Sequence, residues 1–152
     1  MQLDTTDFKI LSLLQEDAKR TNKEIANAIS LSVTAVYERI KRLEREGVIK
    51  KYVALIEKSK VGKPFMVFCQ IQLAQHTKEF LSAFERDVVM LEEVSECFHT
   101  TGDYDYILKI FVKDMEAYRE FMVSKLTALK HIGNTRSIFI ISDIKNTTSI
   151  TV

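Results

Sequence analysis

The hydrophobic period of this chain changes once, near Phe65, and that change constrains the fold more than any other feature. Before it, apolar residues recur at helical spacing. Phe8, Leu11 and Leu14 form one stripe, widened by Ile10 and Leu13. Ile25, Ala28 and Ile29 form a second, and Val33, Val36, Ile40 and Leu43 a third. Stripes of this kind bury one side of a helix. From Phe65 the period is two: Val67, Cys69, Ile71 and Leu73 alternate with Met66, Phe68, Gln70 and Gln72. That alternation marks a strand.

Capping residues punctuate the helical part. Asp4, Thr5 and Thr6 each offer an N-cap oxygen to a helix that runs to about Asp17. Thr21-Asn22-Lys23-Glu24 is a capping box, in which the hydroxyl and the carboxylate satisfy two otherwise unpaired backbone donors. After a short break at Ser30-Leu31, Ser32 caps a third helix through Glu46. Gly47 can take the left-handed conformation that stops it, with Val48 folding back. A strand is expected over Ile49 to Ile56, and Lys58 to Pro64 reads as a hinge.

Beyond Phe65 the chain reads strand, helix, strand, strand, helix, strand. The first helix spans Thr77 to Leu91, with Phe80, Leu81, Phe84, Val88 and Leu91 inward. Strands follow over Val94 to Thr100 and Tyr106 to Val112, separated by a turn at Gly102-Asp103. Asp114 caps a helix to about Leu129, with Met115, Tyr118, Phe121, Met122 and Leu126 on one side, and Ile138 to Ile144 reads as the last strand. The fold class is therefore α+β: a helix-turn-helix, then a βαββαβ, ferredoxin-like antiparallel sheet with both helices on one face. The expected division is 1–50, a linker over 51–64, and 65–152. The uncovered sheet face is apolar in places, so a homodimer through that face is expected.

Composition bounds the function. One proline and four glycines in 152 residues argue against a long disordered segment. No apolar run approaches the roughly 18 to 20 residues of a membrane span. Met1-Gln2-Leu3-Asp4 does not open a secretory signal, so a cytoplasmic location and no membrane partner are expected. Cys69 and Cys97 lie in apolar strands and read as core thiols. His76, His99 and His131 are scattered, with no metal-ligand spacing, phosphate loop or nucleophile motif nearby. Neither an enzyme, a metal site nor a cofactor is expected.

Charge points to double-stranded DNA. The first 60 residues hold 12 Lys/Arg and 9 Asp/Glu, and Arg39, Lys41, Arg42, Arg45, Lys50 and Lys51 fall within thirteen positions. A helix-turn-helix packs its second helix by one face and presents the other to the major groove. The outward residues here are Thr34, Ala35, Tyr37, Glu38, Lys41 and Arg42. The small residues admit close approach, and Tyr37, Glu38 and Lys41 can reach base edges. Arg39, Arg42, Arg45, Lys50 and Lys51 are expected to meet phosphate, as are Thr21, Asn22 and Ser32 at helix starts.

Several stretches together resemble the Lrp/AsnC family of transcription regulators. They are Asp7-x-x-Ile10-Leu11-x-x-Leu14-Gln15-x-Asp17, Thr21-Asn22-x-Glu24-Ile25-Ala26, Leu31-Ser32-x-Thr34-x-Val36, Arg39-Ile40-Lys41-Arg42-Leu43-Glu44-x-Glu46-Gly47-Val48-Ile49, and Thr101-Gly102-Asp103-Tyr104-Asp105-Tyr106. The resemblance implies a winged-helix reader and a C-terminal (RAM-type) sensing domain that dimerises and often builds octamers. It also implies a small-molecule effector, usually an amino acid, bound between C-terminal domains. Carried onto this sequence, the effector site would use Gly102, Asp103, Tyr104 and Asp105, with Thr135 and Ser137 opposite.

Overall fold

A computed structural model describes residues 2–152. Three helices come first: α1 Thr5–Glu16, α2 Asn22–Ile29 and α3 Val33–Arg45. Each begins as its capping residues dictate. The Asp4 carboxylate accepts from the Asp7 N–H, and the Asp7 carboxylate accepts from Asp4 in return. Thr21 and Glu24 form the reciprocal box at α2, and Ser32 Oγ accepts from the Ala35 N–H. Between α2 and α3 the chain turns through Ser30 in the left-handed region (φ 56°). Gly47 takes φ 73°, and the Val48 N–H returns to the Leu43 carbonyl, as its position after the helix requires.

Ile10, Ile25, Ala26, Val36, Ile40 and Leu43 form the core of this unit. The stripe of α1 therefore centres on Ile10, with Phe8 at its exposed edge. In α2 the buried alanine is Ala26, and Ala28 faces out. Val33, in the first turn of α3, is also exposed, because the packing stripe begins one turn later at Val36. The strand expected over Ile49 to Ile56 does not form. Ile49 joins the core, but no segment among the described residues pairs with residues 50–56.

The second unit carries the sheet. Its elements are β1 Phe65–Leu73, α4 Lys78–Val88, β2 Val94–His99, β3 Tyr106–Val112, α5 Met115–Phe121 and β4 Ile132–Phe139. A single π-helical turn, Met122–Leu126, continues α5. The strand order is β2-β3-β1-β4, antiparallel throughout. Val67, Cys69, Ile71 and Leu73 of β1 and Tyr106, Leu108, Ile110 and Val112 of β3 share one buried face with Phe84 and Val88 of α4 and Tyr118 and Phe121 of α5. Both helices thus cover the same side, as the element order requires. Met115 is half-exposed rather than inward, lying in the first turn of α5.

The last strand is displaced from its expected position. It pairs through Ile132–Phe139, while Ile141 and Ile144 lie outside the ladder and are almost fully exposed. The segment Lys145–Val152 groups with the residues up to Leu55 as one compact unit, and Ile56–Ile144 form the other.

Candidate DNA-reading face and effector depression

The buried side of α3 leaves Thr34, Tyr37, Glu38 and Lys41 exposed on its outer face, with Ala35 half-buried among them. Lys41 Nζ lies 2.8 Å from Glu44 Oε2 and 5.9 Å from the Tyr37 ring centre, and the bond to Glu44 raises its pKa. The other oxygen of Glu44 accepts from Tyr52 Oη at 3.0 Å. Burial and that bond push the Tyr52 phenol up to about 12. Lys41 is therefore held in place by Glu44, with further N–H donors of its ammonium free to bond elsewhere.

Apart from Lys41, the clustered cations separate into two groups. Arg39 and Arg42 are anchored within the unit. Arg39 Nη1 lies 2.7 Å from Asp4 Oδ2 and 2.8 Å from Asp7 Oδ1, while Arg42 Nη2 lies 2.7 and 2.6 Å from the two oxygens of Asp7. Asp7 is completely buried. Arg39 holds the Asp4 carboxyl below its usual range. These two arginines, expected at phosphate, clamp α3 to the start of α1. Arg45, Lys50 and Lys51 remain exposed. Arg45 has only a 3.5 Å contact with adjacent Glu46, and the two lysines make no ion pair among the described residues.

The helix starts are capped as expected. Thr21 Oγ1 caps α2 and donates to Glu24 Oε2, which places a carboxylate at that N-terminus. Ser32 Oγ is used in capping α3. Asn22, in the first turn of α2, is half-buried.

On the uncovered face of the sheet, the β2–β3 turn borders a depression of about 620 Å³ lined by Gln70, His99, Thr100, Thr101, Asp103, Tyr104, Ile107 and Arg136. Gly102 makes the bend, with φ 107°, and Thr100 Oγ1 closes the turn on the Tyr104 carbonyl. Asp103 and Arg136 bring opposite charges to the rim. Gln70 has a buried Oε1 with no hydrogen-bond partner.

Of the six residues carried over for an effector, Asp103 and Tyr104 line this depression and Gly102 shapes it. Asp105 does something else: its carboxylate accepts from the Leu73 N–H at 2.7 Å and lies 2.8 Å from His76 Nε2, so it staples the turn to the end of β1. Thr135 and Ser137 lie on the other side of β4. They pair in register with Ile71 and Cys69, whose side chains are in the core, and Ser137 Oγ is 2.6 Å from Tyr118 Oη. Arg136, between them, pairs with Gln70 and faces the depression. The alternation of a strand carried the signal for Arg136, once Thr135 and Ser137 were placed inward.

Both parts of the chain match known proteins. Residues 3–50 match the winged helix-turn-helix DNA-binding model, and residues 66–150 match the Lrp/AsnC ligand binding domain. The chain belongs to the Lrp/AsnC family. It is a transcriptional regulator that combines a helix-turn-helix DNA-binding domain with a ligand-binding domain. It is 35% identical over 150 residues to the leucine-responsive regulatory protein of Escherichia coli (strain K12), spanning 99% of this chain and 92% of that one. It is 33% identical over 143 residues to the Bkd operon transcriptional regulator of Pseudomonas aeruginosa, spanning 94% of each. Among solved structures, a Neisseria meningitidis transcriptional regulator in complex with L-Met superposes with a TM-score of 0.94 at 34% identity, covering 98% of this chain and 96% of that one. An AsnC family regulator from Agrobacterium tumefaciens gives 0.93 at 36% identity, covering 97% and 96%. No helix among the described residues is long and apolar enough to cross a membrane.

Proposed function

We propose that this Lrp/AsnC regulator reads its operator as a dimer, through Thr34, Ala35, Tyr37, Glu38 and Lys41 of α3, with Arg45, Lys50 and Lys51 on phosphate, and that a free amino acid bound in the β2–β3 depression adjusts that binding. The observation that carries the sensing half is that Asp103 and Arg136 line the same depression. A carboxylate meets an α-ammonium and a guanidinium meets an α-carboxylate, both by charge-assisted hydrogen bonds. The L-Met complex of the Neisseria relative supports this ligand class. Dimerisation uses the open sheet face, where Ile138 of β4, beside Phe68, is 40% exposed and Phe98 of the edge strand β2 is 49% exposed. Exposed apolar surface of this kind is what a partner sheet covers.

The sensing half is tested by calorimetric titration with the common L-amino acids, methionine included. One or more should bind the wild type. Arg136→Leu and Asp103→Asn should each weaken that binding by roughly a hundredfold, the usual cost of removing one member of a charged hydrogen-bonded pair. Unchanged affinity in both variants would place the effector elsewhere. The reading half is tested by selecting DNA sequences with the wild type and with Glu38→Ala. The variant should relax preference at one base pair per half-site, with a change of about 1–3 kcal/mol. An identical preference at every position would remove Glu38 from the readers.

A further inference from the structure

Gln15, near the end of α1, makes two hydrogen bonds that neither capping nor core packing explains. Its Nε2 donates to the Ile150 carbonyl at 2.9 Å, and its Oε1 accepts from the Ile150 N–H at 2.7 Å. One side chain thus satisfies both backbone groups of one residue, as a neighbouring strand would. A second contact lies nearby. Val152 lines a groove of about 460 Å³ together with Phe8 and Leu13 of α1 and Ala28 and Ile29 of α2. Two separate observations therefore seat the 145–152 segment on the helices of the DNA-binding unit.

The connectivity gives this contact a consequence. The chain passes between its two units twice, at Leu55–Ile56 and again at Ile144–Lys145. A single flexible crossing leaves a domain free to swing and rotate, whereas a second anchored crossing removes most of that freedom. Here the second crossing is anchored by the Gln15 amide and the Val152 groove. We infer that residues 145–152 form a detachable strap that restrains the DNA-binding unit and so sets the half-site spacing a dimer accepts. The inference rests on the paired-reader proposal above. Two exposed hydrogen bonds and one apolar contact hold such a strap closed by roughly a factor of ten, which bounds the size of the effect.

The experiment compares the full-length wild type, Gln15→Leu and Val152→Asp. Gln15→Leu removes both hydrogen-bonding groups at similar volume on an exposed helix position, where leucine is a good helix former. Val152→Asp breaks the seat from the other side, by placing a charge against Phe8, Leu13 and Ile29. Two readouts are taken: hydrogen exchange at the Ile150 amide, and affinity for operators whose half-sites are moved apart by about half a helical turn. In the wild type the Ile150 amide should be protected, and the displaced operator should bind roughly tenfold more weakly. In both variants the protection should vanish and the two operators should bind within about twofold of each other, while affinity for an isolated half-site stays unchanged. An unaltered spacing preference in both variants overturns the strap, and so does an unprotected Ile150 amide in the wild type. A wild type indifferent to spacing, yet protected at Ile150, would fail the paired-reader proposal and take the spacing role of the strap with it.

Discussion

Raising the salt concentration from 50 to 200 mM should weaken operator binding by this Lrp/AsnC regulator roughly a thousandfold. The figure follows from counting the cations that remain free. Arg39 and Arg42 are spent on Asp4 and Asp7 inside the unit, which leaves Arg45, Lys50 and Lys51 on each chain. In a dimer that makes about six phosphate contacts, and each contact contributes about 0.9 to the slope of log affinity against log salt. The slope is measured by fluorescence anisotropy with a selected operator. Lys50→Ala with Lys51→Ala should lower it by nearly four per dimer and weaken binding about equally on all sequences. A slope near nine would mean that Arg39 and Arg42 leave Asp7 to join the DNA. A sequence-selective loss in the double variant would contradict the phosphate assignment of the two lysines.

The second large effect concerns stability. Replacing Asp7 with alanine should destabilise the DNA-binding unit by about 3 kcal/mol, the low end of the range for removing one partner of a buried ion pair. The low end applies because the guanidiniums of Arg39 and Arg42 stay partly exposed, at 28% and 36%, while Asp7 has no exposure at all. Both arginines then lose an acceptor, and Arg42 loses the only carboxylate that it bonds. The Asp4 N–H also loses its capping partner at α1. Hydrogen exchange at the buried residues Ile10 and Ile40 reads the opening free energy of this unit directly. Asp7→Asn, which keeps the shape and one acceptor, should fall between wild type and alanine. A loss below about 0.5 kcal/mol for Asp7→Ala, the size of an ordinary surface change, would show that the clamp does not hold α3.

That clamp shows how far residue-by-residue reading of the chain reaches. Arg39 and Arg42 look like phosphate ligands because they sit among four other cations within thirteen positions, on a helix whose opposite side is apolar. Their partner, Asp7, lies more than thirty positions earlier, where its spacing to Asp4 reads only as part of a helix start. Nothing local shows that the first turn of α1 packs beside the middle of α3. The residues proposed for the effector show the same limit at shorter range. Asp103 and Tyr104 are legible because a glycine-aspartate turn between two strands must protrude. Thr135, Arg136 and Ser137 are neighbours whose side chains alternate between the two faces, and a shift of one position exchanges core for depression.

The change of period near Phe65 stands as the most informative feature of the sequence. Helical spacing before it and twofold spacing after it determined three helices, four strands and the order that forces α4 and α5 onto one face of the sheet. Ser32, Gly47 and Thr77 determined element ends, because capping and left-handed turns are satisfied by groups within a few positions. Tertiary structure alone decided where β4 lies. The apolar run Ile138 to Ile144 suggested a strand there, but hydrogen bonds to β1 draw in the polar stretch Gly133 to Ser137 and leave Ile141 and Ile144 outside. Tertiary structure also decided which cations stay free, which face of β4 carries Arg136, and that Gln15 takes hold of Ile150. Each of these is a pairing between groups distant along the chain, and such a pairing has no periodicity or local motif to announce it.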